Sequence, residues 1–332
     1  MSVKGFMRSV VAAQRRNERE ALRRQRELEK EQQQYHKMQE LEQAQYEVQV
    51  YENKIEVMTT LHKQCSNQID WDSIVNLDKP IEPKREETNE RKAKSAFENY
   101  TPSSFDKLFS KADKKIEKLK NAIAEGARVD EGEYQRLKQN YEADYENWKK
   151  STKLASRIVF GDIEACIEAI NEINPFSEIS QLGSSIKFEI DDQKLITTEI
   201  KVNSESVIPK EYKYLLKSGK LSERPLPKTK FYALYQDYVC SAILRVAREL
   251  FALLPIEMVI ANAVGDLLNS STGYFVEKPI LSVAIQRETL ARLNFDLLDP
   301  SDSLVNFVHR MKFQTTKGFL PIKVIDPSEL VQ

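Results

Sequence analysis

The 332-residue chain is poor in the residues from which most catalytic and metal sites are built. It contains three histidines, three cysteines and nine glycines. Neither a GxGxxG nor a GxxxxGK[ST] arrangement occurs, so we do not expect the Gly-rich phosphate loop of a nucleotide-dependent enzyme. His309 has no nucleophile motif such as GxSxG beside it, so the sequence offers no complete hydrolytic triad.

Cysteine usage and hydropathy predict the compartment. Cys65, Cys166 and Cys240 are far apart, lie among apolar residues and lack metal-binding spacing, which is typical of free thiols in a reducing compartment. The first residues lack the apolar core of a signal peptide, and four charged residues interrupt the longest apolar stretch, at 241–264. We therefore expect a cytoplasmic protein with no membrane span and no cofactor.

Charge is abundant but balanced. Fifty basic and fifty-one acidic residues give a net charge of -1, so total charge neither favours nor excludes a nucleic-acid partner. A charged fraction of 30% and a mean hydropathy of -0.54 indicate that much of the chain is solvated helix and a smaller part is packed core.

Residues 41–69 carry a heptad pattern. Apolar or small residues recur at alternating spacings of three and four, at Leu41, Ala44, Val48, Tyr51, Ile55, Met58, His62, Cys65 and Ile69. A narrow stripe of this kind predicts a long helix that buries the stripe against a partner.

A second helical region follows a charged connection at about residues 70–102, where Pro80 and Pro83 stop helix propagation. Gly126 is predicted to end one helical segment, and an aromatic stripe follows it at Tyr134, Tyr141, Tyr145 and Trp148. The simplest packing is an antiparallel arm in which this stripe lies on the heptad seam. Pairing of the seam with a second molecule remains an alternative.

The last half of the chain has the pattern of an α+β fold of order αββαββα(β). Asp162 is predicted to cap a helix, and alternating residues predict a β-hairpin with one buried face, formed by strands at 186–190 and 196–202. The prolines of residues 209–227 predict an ordered loop, before the most apolar helix at 231–254. Strands are predicted at 258–264 and 280–285, helices at 287–292 and 304–311, and a terminal strand region at 313–324. The sequence thus divides into a basic helical tip (1–34), a coiled-coil arm (35–160) and a compact head (161–332).

The tip is a candidate for partner binding. No acidic residue precedes Glu18, and the apolar residues Phe6 and Val10 lie beside Lys4 and Arg8. They are followed by Arg15, Arg16, Arg19, Arg23, Arg24 and Arg26. These residues suit docking to a protein partner, and the arginines suit phosphates of a nucleic acid.

Glu199-Ile-Lys201 lies on a predicted strand, with Asp191 and Asp192 across the preceding turn. Glu-x-Lys beside an Asp is the pattern of Mg²⁺-dependent nucleases, in which carboxylates hold the metal and the Lys stabilises developing phosphate charge. Alternation nevertheless predicts that Glu199 and Lys201 lie on a solvated face, where such pairs are common.

Arg245 and Arg248 interrupt the most apolar helix and are candidates for an anionic site. A structural ion pair between Arg245 and Glu249, four residues apart, is the simpler interpretation. Tyr232, Tyr235 and Tyr238 precede the arginines and suit either base stacking or core packing.

Three segments carry a resemblance to a group of proteins. Tyr235-Gln-Asp-Tyr-Val-Cys-Ser continuing through Leu244-Arg-Val-Ala-Arg-Glu-Leu-Phe-Ala-Leu-Leu-Pro255, with Pro279-Ile-Leu-Ser-Val and Asp299-Pro-Ser-Asp, resembles uncharacterised bacterial proteins in which a charged helical region precedes an α+β domain. The resemblance covers roughly the last half of the chain. It implies a fold and no activity.

The leading hypothesis is a non-enzymatic coiled-coil interaction or assembly protein, whose head recognises a protein or an anionic partner. The competing hypotheses are a Mg²⁺-dependent nuclease built on Glu199 and Lys201, and nucleic-acid binding through the basic tip.

Overall fold

The structure is a computed structural model that describes residues 3–102, 112–176, 185–192 and 194–330, with the backbone alone at residues 3–28, 31, 112, 191 and 192. The chain divides into two compact units. The sheet unit comprises Met1–Asn67 and Asn174–Gln332, and the helical unit comprises Gln68–Ile173. In this division residues 35–67 belong with the sheet, and the helix at Ile163–Ile173 belongs with the helical unit.

The α-helices are α1 (Val3–Thr59), α2 (Trp71–Val75), α3 (Thr88–Glu98), α4 (Ala112–Val159), α5 (Ile163–Ile173), α6 (Lys228–Leu253) and α7 (Arg287–Ala291). The strands are β1 (Ser185–Asp192), β2 (Leu195–Lys201), β3 (Glu211–Leu215), β4 (Leu221–Pro225), β5 (Met258–Leu268), β6 (Phe275–Gln286), β7 (Val308–Gln314) and β8 (Gly318–Leu320). Short 3-10 turns lie at Leu61–Lys63, Glu205–Val207, Asp302–Asn306 and Pro327–Glu329. A long helical region followed by a mixed sheet confirms the predicted α+β class.

The predicted heptad seam is the face by which α1 packs within the sheet unit. Ala44, Val48 and Met58 are buried, and α1 contacts β3, β4 and α6. Leu41 lies against the β3–β4 turn, where a Cβ atom on Gly219 would be 2.7 Å from its Cδ2 atom. Gly219 has a φ of 80°, a conformation that favours glycine. The seam is therefore covered by β3, β4 and α6 of its own unit, and its burial does not depend on a second helix of the arm or on a second molecule.

Helix α1 ends earlier than the heptad pattern predicted, at Thr59 and not near Ile69. The Thr59 hydroxyl donates to the Ile55 carbonyl at 3.0 Å, and the Thr60 hydroxyl donates to the Glu56 carbonyl at 2.6 Å. Such side-chain bonds compete with the helical ladder and favour a helix end. The chain then crosses α6 as residues 61–66, which we call the clasp.

The main sheet has the order β1-β2-β5-β6-β7-β8. Strands β2 and β5 are parallel and the other neighbours are antiparallel, so α6 lies in the connection that parallel strands require. The predicted β1–β2 hairpin is confirmed. Ile196, Thr198 and Ile200 are fully buried on one face, and Glu199 is exposed on the other.

The two central strands are covered on both faces, as their continuous apolar sequence requires. Val259, Ala261 and Ala263 pair in register with the buried residues of β2, and α6 contacts β5. On the opposite face, Ile260 packs with Ile325 of the C-terminal segment. Strands β5 and β6 also extend beyond their predicted ends, to Leu268 and from Phe275 respectively.

Residues 209–227, predicted as a loop, instead form the β3–β4 hairpin. Tyr212 and Tyr214 project on one face of β3 with stacked rings 5.2 Å apart. Gly219 makes the turn, and Pro225 is the last residue of β4, where a missing N–H is tolerated on a short edge strand. The prolines therefore limit the strands and do not exclude them.

The predicted helix over residues 304–311 is wrong. A 3-10 turn ends at Asn306, and β7 begins at Val308. The segment has a period of two, in which Phe307, His309, Met311 and Phe313 alternate with Val308, Arg310 and Lys312. Pairing with β6 selects the strand, so His309 lies on a strand.

In the helical unit, α4 runs uninterrupted through Gly126, which was predicted to end a helix. A Cβ atom at Gly126 would lie 2.9 Å from the backbone carbonyl of Asn89, so this glycine admits the start of α3. Asp130, one turn further along, accepts from the Asn89 and Glu90 backbone N–H groups at 3.0 and 2.8 Å. Burial raises the pKa of Asp130, but these hydrogen bonds outweigh it and hold the pKa below its usual value.

The aromatic stripe of α4 also packs within the helical unit. Tyr141, Tyr145 and Trp148 form a ladder of stacked rings. The Trp148 indole donates to the Leu77 carbonyl at 2.8 Å, and the Lys79 ammonium lies 4.9 Å from the Tyr145 ring centroid. Asp162 caps α5 at the Ala165 N–H, as predicted.

Across the parts of the chain that the structure describes, no helix combines the length and apolar character needed to cross a bilayer.

Candidate functional site

The Glu-x-Lys residues lie on the exposed face of β2, and each pairs with a different neighbour. Glu199 is 3.6 Å from the Lys187 ammonium on β1. Lys201 pairs with Glu277 and lies 4.0 Å from Asp266. Asp191 and Asp192 are the last residues of β1, and their side chains lie outside the described atoms. Among the described residues, no three His, Cys, Asp or Glu side chains are arranged to hold a metal ion.

Arg245 has the ion-pair partner that its position on α6 suggested. Its guanidinium is 2.8 Å from the Glu249 carboxylate, and the two side chains are 8% and 0% exposed. The same Glu249 oxygen accepts from the Ser66 backbone N–H at 3.0 Å. The pair therefore fixes one end of the clasp.

Arg248 fixes the other end. Its guanidinium donates to the His62 carbonyl and, at 3.1 Å, to the Lys63 carbonyl. It also lies 4.0 Å from the Phe295 ring centroid, a cation–π arrangement. Both arginines proposed for an anionic site thus hold the clasp against α6.

His62, at the end of the clasp that Arg248 holds, is buried. It is 1% exposed, its backbone N–H donates to the Ser241 hydroxyl at 3.0 Å, and its Nδ1 lies 2.8 Å from the same oxygen. Burial, together with Lys63 and Arg248, lowers the pKa of His62 to about 4. A His-Ser pair sealed in this way has no room for a substrate.

The residues proposed for partner binding at the tip all belong to α1. Their backbone is helical, and their side chains lie outside the described atoms. They are Phe6, Val10, Arg15, Arg16, Arg19, Arg23, Arg24 and Arg26.

An open pocket of about 820 Å³ lies within the sheet unit, at the start of α6. It is bounded by the extended ends of β5 and β6, the turn at Glu205–Val207 and the segment that includes β8. Most of the lining is apolar, from Phe231, Tyr232, Leu267, Leu268, Phe275, Val276, Phe319, Leu320 and Pro321.

A close contact between Tyr232 and Gly318 shapes the pocket wall. Gly318 has a φ of 78°, and a Cβ atom there would lie 2.8 Å from the Tyr232 ring. Beneath them, Phe319 is 3% exposed and packs edge-to-face with Phe313 and Tyr235. These contacts give the pocket a rigid aromatic floor.

The rim at residues 203–206 is tied to α6. The Tyr235 hydroxyl donates to the Asn203 carbonyl at 2.9 Å, and the Asn203 N–H donates to the Tyr238 hydroxyl at 3.3 Å. Desolvation raises the pKa of the nearby Glu205 carboxyl. Desolvation and the negative charge of Glu205 together raise the pKa of the Tyr232 hydroxyl. The carboxyl is therefore easier to neutralise than a solvated glutamate.

Three exposed lysines, Lys210, Lys278 and Lys317, complete the lining. None makes an ion pair with any residue that the structure describes. The Asp266 carboxylate at the same rim lies by Lys201, which also pairs with Glu277. Free ammonium groups around an aromatic floor suit an anionic ligand with an apolar body.

The described lining of this pocket contains no histidine or cysteine. Its reactive groups are the two carboxyls, the lysines and the hydroxyls of Ser204, Ser206 and Tyr232. Ser204 and Ser206 hydrogen-bond to each other at 2.7 Å.

Sequence reasoning identified Tyr232 near this site but missed the lysines. Tyr235 and Tyr238, grouped with Tyr232 in the sequence, are 4% and 0% exposed and form the supporting core. The pocket lysines come from separate segments and share no local motif, so only the fold brings them together. Comparisons with protein-family profiles, curated proteins and solved structures returned no match for this chain.

Proposed function

We propose that this protein is a non-enzymatic interaction protein whose sheet unit binds an anionic partner in the pocket at the start of α6. The supporting observation is the combination of three unpaired lysines with a packed aromatic floor. The lysines attract the anionic group, and the floor buries an apolar body. This proposal keeps the anionic partner predicted from the sequence but moves its site from Arg245 and Arg248.

The pocket is tested with two dyes that differ by one sulfonate. Isothermal titration is carried out with the anion 8-anilinonaphthalene-1-sulfonate and with neutral N-phenyl-1-naphthylamine. The double variant Lys278→Glu/Lys317→Glu should weaken the anion at least tenfold, about 1.4 kcal/mol, and change the neutral dye less than threefold. Lys187→Glu, an exposed lysine of β1 outside the pocket, is the control. Equal loss of both dyes, or no saturable anion binding, contradicts the proposal.

We also propose that α1 associates with α1 of a second copy. Tyr35, Tyr46 and Val57 are 61%, 63% and 51% exposed. They recur every eleven residues, which is about three helical turns, on the face opposite the buried Ala44 and Val48. Exposed large apolar residues that recur on one face of a helix can pack against the same residues of a second copy, which supports self-association.

Sedimentation velocity over a range of concentrations tests this association. Tyr35→Glu/Tyr46→Glu changes two exposed residues of this face and should shift the protein to monomer. Gln34→Glu adds a charge beside this face and should leave the assembly intact. A wild-type chain that stays monomeric at high concentration contradicts self-association.

The Mg²⁺ nuclease and nucleic-acid alternatives stay predictions, and no described contact favours either. The first requires Mg²⁺-dependent cleavage that Glu199→Ala and Lys201→Ala abolish. The second requires binding that falls steeply with salt and disappears when residues 1–34 are deleted.

A further inference from the structure

The β3–β4 hairpin has two chemically different faces. Side chains alternate along β3, and Glu211 and Lys213 point to α1, where they line a groove between the strand and the helix. The residues between and opposite them therefore lie on the other face, which we call the outer face. It consists of Tyr212 and Tyr214 on β3 and of their ladder partners on β4, Arg224 and Ser222.

The outer face carries a short aromatic stack. The ring centroids of Tyr212 and Tyr214 are 5.2 Å apart, and the ring planes differ by 18°. The Arg224 guanidinium lies 5.6 Å from the Tyr214 ring centroid. Both tyrosines are half-buried, and Arg224 is exposed. A planar aromatic ligand can continue this stack, with Arg224 beside it to meet an anionic group.

The acidic residues of the hairpin lie on the face towards α1. Glu223 is 2.7 Å from the Lys213 ammonium, which also lies 2.8 Å from the Glu47 carboxylate of α1. Hydrogen bonds to the two carboxylates raise the pKa of Lys213, so the ammonium stays charged between them. The same side holds Lys220 of the turn, which borders a groove that α1 lines with Glu40, Glu42 and Glu47. The four residues of the outer face include no carboxylate.

Exposed cations lie at both ends of the outer face. Lys217 is in the hairpin turn, and Lys228 begins α6 three residues after the end of β4. Three residues span at most about 11 Å, so Lys228 lies close to Pro225. Within the described ranges, neither lysine makes an ion pair, and the same holds for Arg224. A ligand along the outer face thus meets three cations that no described carboxylate neutralises.

We propose that the outer face binds single-stranded nucleic acid. Unpaired bases expose flat faces that can stack on Tyr212 and Tyr214, while the phosphates meet Arg224 and the lysines at the two ends. In a duplex the bases are already stacked on each other, so they cannot reach the tyrosines. This site is separate from the pocket at the start of α6 and from the basic tip, and it does not depend on the proposed function.

Two other classes of anionic partner fit the outer face less well. An anionic membrane surface requires a large apolar area that enters the lipid, and the turn exposes only Leu215 and Leu216, at 36% and 43%. The tyrosines lie along the strand and not at the turn. An acidic protein segment would meet the cations but would leave the aromatic stack without a ring to continue it.

Fluorescence anisotropy of the full chain with a fluorescein-labelled oligodeoxythymidine of twelve nucleotides tests the proposal. Tyr212→Ala/Tyr214→Ala and, separately, Arg224→Glu should each weaken binding about tenfold. Tyr212→Phe/Tyr214→Phe keeps both rings and should bind within about twofold of wild type. Lys187→Glu changes an exposed lysine of β1, outside the hairpin, and should also leave binding unchanged. Circular dichroism checks that each variant is folded.

Two further probes separate stacking from charge. An abasic strand with the same number of phosphates, and a duplex of the same length, should each bind about tenfold more weakly than the single strand. Equal binding of the abasic strand, unchanged binding by the two alanine and glutamate variants, or no saturable binding of the single strand overturns the inference. Loss of binding on deletion of residues 1–34, with the tyrosine variants as wild type, assigns the nucleic acid to the basic tip and also overturns it. So does tighter binding to phosphatidylserine vesicles than to the single strand.

Discussion

The clasp and the pocket use similar side chains in different surroundings. In the clasp, Arg245 pairs with Glu249, and Arg248 donates to backbone carbonyls and covers Phe295. Lys278 and Lys317 line the same pocket as several aromatic rings and have no carboxylate partner among the described residues. A cation that is satisfied within the fold stabilises it, whereas an unpaired cation at an open apolar surface is available to a ligand.

The largest effect of this difference should appear when Glu249 is changed to Ala. The substitution leaves Arg245 buried without its carboxylate and removes the acceptor of the Ser66 N–H. Breaking a buried pair costs about 3–5 kcal/mol of unfolding free energy. Urea unfolding of the sheet unit, followed by hydrogen exchange of α6 amides, measures the loss. A change below about 1 kcal/mol would show that the clasp is not closed in solution.

The second prediction concerns the pH dependence that His62 gives to the clasp. Its pKa is about 4 in the folded protein, against an ordinary value of 6.5. Between these values the unfolded chain binds a proton and the folded chain does not. The stabilisation contributed by neutral His62 should therefore be fully present above pH 6.5. The free energy of unfolding should fall by about 2–3 kcal/mol as the pH drops to 4.

His62→Gln isolates this contribution. Burial and the neighbouring Asp299 and Asp302 raise the pKa of Asp237 to about 6, against a Ser301 hydrogen bond that lowers it. Asp237 acts in the opposite direction, because its folded form holds a proton more tightly. The difference between wild type and His62→Gln at each pH removes this common term. A difference that is constant from pH 7 to 4.5 would contradict the assignment to His62.

Substituting two glycines of α4 should change the free energy of unfolding by a smaller amount. One glycine lies in closely packed surroundings and the other lies in open surroundings. Gly126 faces the Asn89 backbone at 2.9 Å, whereas nothing lies within 4 Å of a Cβ at Gly132. Gly132→Ala should stabilise the helical unit by about 0.5–1 kcal/mol. Gly126→Ala should destabilise it by about 1–2 kcal/mol, because the start of α3 must move. Both tryptophans, Trp71 and Trp148, belong to this unit, so their fluorescence reports its unfolding. Equal effects of the two substitutions would contradict the close contact.

The smallest effect on stability should come from the pocket. Lys278→Ala and Lys317→Ala remove exposed cations that make no ion pair with a described residue. Each should change the free energy of unfolding by less than about 0.5 kcal/mol, while both weaken the sulfonate dye. A larger loss of stability would show that these lysines stabilise the fold, as the arginines of the clasp do, and would contradict the contrast between the two regions.

The periodic parts of the fold could be predicted from the sequence. Alternation identified the β1–β2 hairpin and its buried face, including Thr198, and the dense apolar pattern identified α6. The period also identified the buried seam of α1 but not its neighbour, because a heptad stripe specifies a surface and not what covers it. The prolines of residues 209–227 led to the prediction of a loop where the β3–β4 hairpin lies. Gly126 was predicted to end a helix, but it lies inside α4, where it allows close contact with Asn89.

The candidate site could be predicted only in part, for a related reason. Arg245 and Arg248 stood out because they interrupt an apolar run, and the same burial that made them visible also requires them to be paired. Lys210, Lys278 and Lys317 are ordinary surface residues in the sequence. Their proposed role depends on lining one pocket together with Phe319 and Tyr232, which is a property of the folded sheet unit.

The location of the bound anion tests the central claim most directly. Methyl-labelled protein is titrated with 8-anilinonaphthalene-1-sulfonate, and methyl chemical shifts are followed by NMR. Leu267, Leu268, Leu320 and Val276 line the pocket, whereas Val239 and Leu250 lie in the core of α6. We predict saturable shifts of the four pocket residues, with the core methyls unchanged and the shifts lost in Lys278→Glu/Lys317→Glu. Shifts confined to α1, or spread over the core, would contradict an anion site in the pocket.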